Sequence, residues 1–536
     1  MDNGDIADRL EALASLLELA DANPYTTRAY RRAADTIRDA PVAVAELVRT
    51  GQVRRLRGIG PGIEARLGEL VETGEIAELV ELERELAPGL VGLGRYLGLT
   101  ARRSIEIARA LGVSTPEELR EAAAAGRLRD VPGVGPQTEA RLLDALARED
   151  RPRRALLLSQ AHELVETIAA AMDGEVAGDV RRWRDACELL AVVCPAADAA
   201  AALARFAALP QIVAVIEQGE AGALGLTVEG VPVELVLTDA ERLGTALIRA
   251  TGAAAYVAAL EPLPDGADED AVYRALGLAW CPPELREEPV DTVPTGLLEI
   301  GDIRGDLHCH STWSDGRSSI EEMGRAARDR GYEYVAICDH TPAVGAVRGL
   351  AADDVRRQAE EVAAANEALA PFRVLHGIEC DILADGRLDL ADDVLAELDW
   401  VQASVHGGQR MPREAMTRRV EEAMANPHVR CLSHPTGRLI TRRPENALDL
   451  DRIYALAVER GVALEVNGLP ARLDLSGEHV RDALRGGVQI VCSTDAHSVA
   501  GLEHMELAVR TARRGWATAG DILNTRPLAA LLARRA

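Results

Sequence analysis

Beyond residue 300, nine His, Asp and Glu side chains each follow a short apolar run, and this repeated format constrains the fold more than any other feature of the chain. The first three lie in DLHCHSTWSDG. There His308 and His310 alternate along a strand and so leave the same face, and Asp315 follows from a glycine-containing turn. His340 ends AICDH, Glu379 lies in HGIECD, His406 in ASVHGG, His434 in LSHPTGR, and Asp495 and His497 in CSTDAH. Short β-type runs that each end in a ligand are what successive strand-helix units produce when every strand presents one side chain at its carboxyl end, so the nine are expected to ring a barrel mouth. Ten of the 11 His lie after residue 300, and six of those occupy such strand ends. His376, His428, His479 and His504 do not, and read as ordinary core or surface residues.

A lone HxH is usually a pair of hydrogen-bonded core histidines, but nine such residues in one ordered series are not explained that way. A mixture of imidazole and carboxylate suits Zn, Mn or Fe, and the absence of any CxxC pair argues against a thiolate zinc site. Cys309, Cys338, Cys380 and Cys492 adjoin the ligands and are expected to pack as small apolar residues.

Taken in order, DLHCHS, ICDH, GIECDI, SVH, HPTGR and STDAH resemble the PHP (polymerase and histidinol phosphatase) superfamily. The resemblance implies a distorted seven-stranded βα barrel holding up to three divalent metal ions, Mn²⁺ or Zn²⁺ with Fe and Mg²⁺ as alternatives. All nine ligand positions carry permitted residue types. Glu379 is expected to bridge two ions, Asp495 and His497 to complete a separate corner, and Arg438 of HPTGR to clamp a phosphate oxygen. Glu379, Asp495 and Arg438 are therefore the expected catalytic residues. Metal-activated water would be the nucleophile, with no protein nucleophile required.

A chain of 536 residues is too long for one core, and two to four domains are expected. A net charge of −26 excludes loose electrostatic binding to nucleic acid, so any DNA contact must be local. All 60 basic residues are Arg, which leaves no side-chain amine for a Schiff base. Eight unevenly spaced Cys, no apolar stretch of membrane length and no signal-peptide pattern lead to the expectation of a cytoplasmic protein without a membrane partner, and the acidic charge to that of a monomer.

Two segments near the amino terminus share one pattern. LRGIGPGIEARLGEL starts at Leu56 and VPGVGPQTEARLLDAL at Val131, with a weaker copy, GLVGLGRYLGL, between them. Each glycine pair permits a tight turn that opens onto a helix N-terminus, whose free N–H groups can hold a phosphate. These are helix-hairpin-helix signatures, and Gly58, Gly60, Gly62, Gly133 and Gly135 are the expected DNA contacts. A single copy would read as an inter-helix turn with glycines for packing. Two copies favour binding of backbone phosphates without base readout.

Residues 151–298 resemble the palm and thumb of family X DNA polymerases through AGDVRRWRDACELLAVV (177–193), VPVELVL and ALGLAWCPPELREE. With the hairpin motifs and the barrel, the resemblance to bacterial family X polymerases bearing a C-terminal PHP domain spans nearly the whole chain. The departures are informative. Laying the motif on the sequence puts Leu189 and Ala191 where the first two metal-binding aspartates belong, with Glu234 at the third, and two-metal nucleotidyl transfer needs all three. Asp179 stands where the family has a serine beside the triphosphate, and Arg181 and Arg182 are left as phosphate-contact relics.

The expected fold is multidomain α/β: a helical domain with helix-hairpin-helix over 1–82, a fingers-like helix-hairpin-helix domain over 83–150, a degenerate nucleotidyltransferase-like palm over 151–240, a thumb over 241–298 and a PHP barrel over 299–536. The expected function is metal-dependent hydrolysis at DNA 3′ ends in repair, as 3′-5′ exonuclease, 3′-phosphatase or abasic-site endonuclease, on gapped, nicked or 3′-end structures. The alternatives are a small-molecule phosphatase of histidinol-phosphate type, a non-catalytic repair scaffold and a residual gap-filling polymerase.

Overall fold

A computed structural model describes residues 3–19, 23–38, 44–56, 58–86, 99, 101–113, 116–132, 134–135, 155–227, 229–290, 292–345 and 347–533. The chain divides into two compact units. One comprises residues 1–154 and 196–237, the other 155–195 and 238–536. Among the described residues no helix is long and apolar enough to cross a membrane.

The first unit opens with helices Asn3–Leu19, Pro24–Arg38, Val44–Arg49, Pro61–Thr73 and Ala77–Leu86 around a core that includes Ile6, Leu10, Leu13, Ile37, Leu67 and Leu70. The motif at Leu56 folds as its glycines require. Gly58 has φ +86°, Gly60 caps the helix, and Pro61 occupies its first turn, where a missing N–H costs nothing. Ile63, Leu67 and Leu70 then recur on one buried face. A Cβ built at Gly60 or Gly62 would meet nothing within 4 Å, so internal packing does not require glycine there. In the second motif Gly135 is likewise open, whereas Gly133 and the segment after Gly135 lie outside the described residues, as does nearly all of the weaker copy. The same unit holds, up to its last residue Leu237, an antiparallel meander of Ala214–Gly219, Gly222–Leu226 and Pro232–Thr238, with Glu234 opposite Leu224.

The second unit begins with helix Leu158–Met172 and the antiparallel pair Glu175–Ala177 and Leu190–Pro195. It continues through helices Leu243–Thr251, Ala254–Leu260 and Glu269–Leu276 to a barrel of seven parallel strands. These are β1 Gly305–Cys309, β2 Tyr334–Ile337, β3 Arg373–Asp381, β4 Trp400–Ser404, β5 Cys431–Leu432, β6 Ala463–Asn467 and β7 Ile490–Ser493, paired in chain order. Most are buried on both faces, as apolar parallel strands covered by helices must be. The returning helices carry clear start signals: Ser319 and Glu322 form a reciprocal capping box ahead of Ile320–Asp329. The barrel is nearly closed. At the carboxyl end of the strands the His310 amide donates to the Ala496 carbonyl at 2.8 Å. At the other end the buried Asn524 side chain donates to the carbonyls of Gly305 and Cys492, both at 2.7 Å.

An ion pair ahead of the barrel supports a pH prediction. Glu269 accepts from both Arg286 (2.6 Å) and Arg181 (2.7 Å), with the Arg286 side chain wholly buried. Burial alone would raise the Glu269 carboxyl, but hydrogen bonds from Arg286 and Arg181 hold it down to about 2. A depressed folded-state value means that the contribution is intact above the ordinary 4.5 and is lost as pH falls toward 2. Equilibrium unfolding is expected to show about 3 kcal/mol of acid sensitivity in this window that Glu269→Gln removes. Equal acid profiles of the two proteins would disprove it.

Candidate metal centre

All nine ligand candidates converge at the carboxyl ends of the barrel strands. His308 is on β1 and Glu379 on β3, while the other seven stand just beyond the ends of β1, β2, β4, β5 and β7. Gly316 explains the Asp-Gly turn: a Cβ there would come within 2.7 Å of the His310 backbone, so only glycine lets the loop fold back and bring Asp315 to the cluster. His434 (φ +27°) and Asp495 (φ +54°) adopt backbone conformations that are uncommon for such residues, and strain of this kind persists where the surrounding structure fixes a functional side chain.

Three overlapping groups have ligand atoms within 4.8 Å of one another: His310, Asp315, His340 and His497; His308, His310 and Asp495; and His340, Glu379 and His406. Glu379 faces both ways. Its Oε1 is 2.8 Å from His434 Nε2 and 3.5 Å from His406 Nε2, whereas Oε2 is 2.9 Å from His340 Nδ1 and 3.4 Å from His308 Nε2. The His310 ring stands between two groups, with Nε2 3.0 Å from Asp495 Oδ1 and Nδ1 3.9 Å from Asp315 Oδ1. Asp495 and His497, expected at one corner, face different groups. The His497 Nδ1–H donates to the Asp495 carbonyl at 2.7 Å, which turns Nε2 toward Asp315 at 3.2 Å.

The donor set fits divalent cations. His308 Nε2, His310 Nδ1, His340 Nδ1, Glu379 Oε2 and His434 Nδ1 are buried polar atoms without a hydrogen-bond partner, an arrangement that is costly unless a ligand satisfies them. The eight Cys are buried and form no disulfide, and none joins a ligand group among the described residues. Burial would raise Glu379, but His406, His308 and His340 hold it well below the ordinary carboxylate range. Asp495 is likewise held down against burial by His308 and His310. His310 is lowered to about 3 by burial, reinforced by His497 and His340, and therefore presents a neutral ring. His308, His310 and Glu379 are buried, whereas His497 is 33% and Asp315 26% exposed, so the cluster opens to solvent on that side.

Several supporting residues were not singled out from sequence. Glu465 on β6 accepts from His308 Nδ1–H (2.7 Å) and from the His434 amide (2.6 Å), and Asp381 accepts from His406 Nδ1–H (3.1 Å). Such carboxylates fix which imidazole nitrogen faces the cluster. The available signal was an acidic residue inside the apolar run VALEVN, the same format that marked Glu379. Asp339 takes hydrogen bonds from the Ser311 amide and hydroxyl and thereby anchors the loop after His310.

Arg438 does not take the position expected of it. Its Nη2 donates to Asp185 at 2.6 Å and to the Leu473 carbonyl, and Nε to the Arg472 carbonyl at 2.9 Å, so these two nitrogens are engaged by the protein. Arg181 and Arg182 are also withdrawn from phosphate duty: Arg181 pairs with Glu269, and Arg182 with Asp179 (2.6 Å) and Glu287 (3.1 Å). Leu189 precedes strand Leu190–Pro195, in which Ala191 is buried. The Asp179 carboxylate accepts from the amides of Glu188 (3.0 Å) and Leu189 (3.3 Å).

Residues 1–76 match the helix-hairpin-helix domain family and residues 306–468 the PHP domain family. The DNA polymerase/3′-5′ exonuclease PolX of Bacillus subtilis (strain 168) is 34% identical to the chain, over 98% of both proteins. The chain belongs to the PolX family of DNA polymerases. Over part of its length this PolX-family chain is also similar to shorter proteins. A probable phosphatase of Acetivibrio thermocellus is 31% identical over 36% of the chain and 78% of that protein, and one of Thermoanaerobacter sp. (strain X514) is 27% identical over 41% and 89%.

Proposed function

We propose that this PolX-family protein is a metal-dependent phosphoesterase that acts on DNA 3′ ends through its barrel and no longer polymerises. The observation that carries the hydrolase reading is the set of three overlapping ligand groups, whose members His308, His310, His340 and Glu379 each keep a buried polar atom without a hydrogen-bond partner. Bound Mn²⁺ or Zn²⁺ would lower the pKa of a coordinated water and offset the charge of the attacked phosphate. His308, His310, Asp315, His340, Glu379, His406, His434, Asp495 and His497 would hold the ions. Glu379, with one oxygen toward His434 and His406 and the other toward His340 and His308, is suited to join two of them. Glu465 and Asp381 keep His308 and His406 in the tautomer that points Nε2 at the centre.

DNA, rather than a small phosphoester, is favoured by the amino-terminal motif, whose Gly60 and Gly62 leave open room for close approach of a phosphate backbone. Loss of polymerisation is favoured by Leu189 and Ala191 at the carboxylate positions and by Asp179 where the family has a serine beside the triphosphate. Glu234 alone cannot hold two ions. A 3′-labelled gapped duplex incubated with Mn²⁺ or Zn²⁺, with and without dNTPs, is expected to be shortened or dephosphorylated, not extended, and a chelator is expected to stop the reaction. Extension with dNTPs would refute the loss of polymerisation. An inert 3′ end together with hydrolysis of a small phosphoester would shift the substrate to the phosphatase class.

A further inference from the structure

With Arg438 committed to Asp185, the centre needs another phosphate-binding side chain, and the segment leaving β6 supplies one. Arg472 lies in GLPARLDL, in a loop pinned by the Arg472 amide donating to Leu469 O (2.7 Å) and the Asn467 amide to Asp474 O (2.6 Å). Its side chain is 15% exposed, and its Nε, 3.5 Å from Asp495 Oδ2, is buried without a hydrogen bond. That carboxylate is already engaged, since Asn467 Nδ2 donates to Oδ2 at 3.0 Å and His310 Nε2 is 3.0 Å from Oδ1. A second guanidinium lies close enough to feel the charge of the first. Arg443 is held by two hydrogen bonds to the Gly437 carbonyl (3.0 and 2.7 Å), and burial together with the Arg472 charge lowers its pKa. The Arg472 and Arg443 charges repel each other, with the Asp474 carboxylate offsetting Arg443, and an anion beside Arg472 would relieve that repulsion.

We propose that Arg472, backed by Arg443, forms an anion subsite at the edge of the metal centre that binds a non-bridging oxygen of the substrate phosphate. The planar guanidinium fork matches phosphate geometry, and contact with Asp495 places that fork beside the expected ions. Only the identity of the anion, a phosphoester, rests on the phosphoesterase reading above.

Inorganic phosphate is the probe, titrated by calorimetry into the full-length Mn²⁺-loaded protein, with metal content measured for each variant. Arg472→Gln is expected to weaken phosphate binding roughly ten- to a hundredfold at unchanged metal content, as loss of a charged hydrogen bond does. Arg472→Lys should fall between, and Arg443→Gln should weaken binding less, in the same direction. On DNA, Arg472→Gln should raise KM and the inhibition constant of phosphate together. Phosphate affinity within twofold of wild type in Arg472→Gln overturns the subsite. So does a loss of phosphate that merely follows loss of metal, which would make Arg472 a support for Asp495. If Arg472→Gln does not fold, Arg443→Gln decides: weaker phosphate binding supports the subsite, and equal binding overturns it. Arg472-dependent phosphate binding by a protein inert on DNA would sink the proposed substrate and leave the subsite standing. Cleavage of DNA ends with phosphate binding indifferent to Arg472 would do the reverse.

Discussion

Replacing Glu379 by Gln is expected to cut metal-dependent hydrolysis of a DNA 3′ end about a thousandfold while leaving the far-ultraviolet circular dichroism unchanged. The carboxylate has an imidazole nitrogen within 3.5 Å of each oxygen and contributes one of the few negative charges inside a ring of six histidines. Its amide isostere keeps the shape and removes the charge. Lewis-acid stabilisation is worth several kcal/mol, and each 1.4 kcal/mol is a factor of ten, so loss of one cation from the cluster accounts for that magnitude. Bound metal, counted by atomic absorption, should fall in parallel. Activity within tenfold of wild type would remove Glu379 from the centre.

Replacing Asp185 by Ala is expected to destabilise the second unit by about 3–5 kcal/mol, because it leaves the largely buried Arg438 without its ion-pair partner and Arg514 with only Glu287 at 3.6 Å. Asp185 accepts from Arg438 and Arg514, each at 2.6 Å, and all three side chains are at most 16% exposed. Burial opposes the carboxylate, but the Arg514 and Arg438 charges hold its pKa below the ordinary value. Thermal unfolding should shift down by roughly 5–10 °C. Pairing Asp185→Ala with Arg438→Ala should recover part of the loss, since the second change removes the charge left without its partner. A shift under one degree in Asp185→Ala would show that the pair contributes nothing.

The barrel was legible because its strands end in ligands. Apolar runs closed by His340, Glu379, His434 and Asp495 announce both the strand and the direction its end must face, and seven parallel strands follow in chain order. The first glycine motif was legible for a similar reason: Gly58 needs a positive φ and Pro61 a helix start, and neither depends on distant residues. Glu465 escaped notice even though the run VALEVN follows the same format, because its part, holding His308 and His434, joins residues 157 and 31 positions apart. Arg438 invited a functional reading by motif, as a phosphate clamp, and Asp185 invited none. No local pattern reveals that they neutralise each other across 253 residues.

The sequence by itself determined the barrel, the residue types gathered at its mouth and the first glycine turn, since strand-end side chains, apolar runs and glycine turns act over a few residues. Only the tertiary structure decided which charged groups remain free for a ligand. An arginine's availability depends on what packs against its guanidinium: Arg438 is spent on Asp185, while Arg472 keeps a buried Nε without a hydrogen-bond partner beside Asp495. Charges that must be desolvated find partners by proximity in space, and proximity in space is what a linear order of residues does not contain.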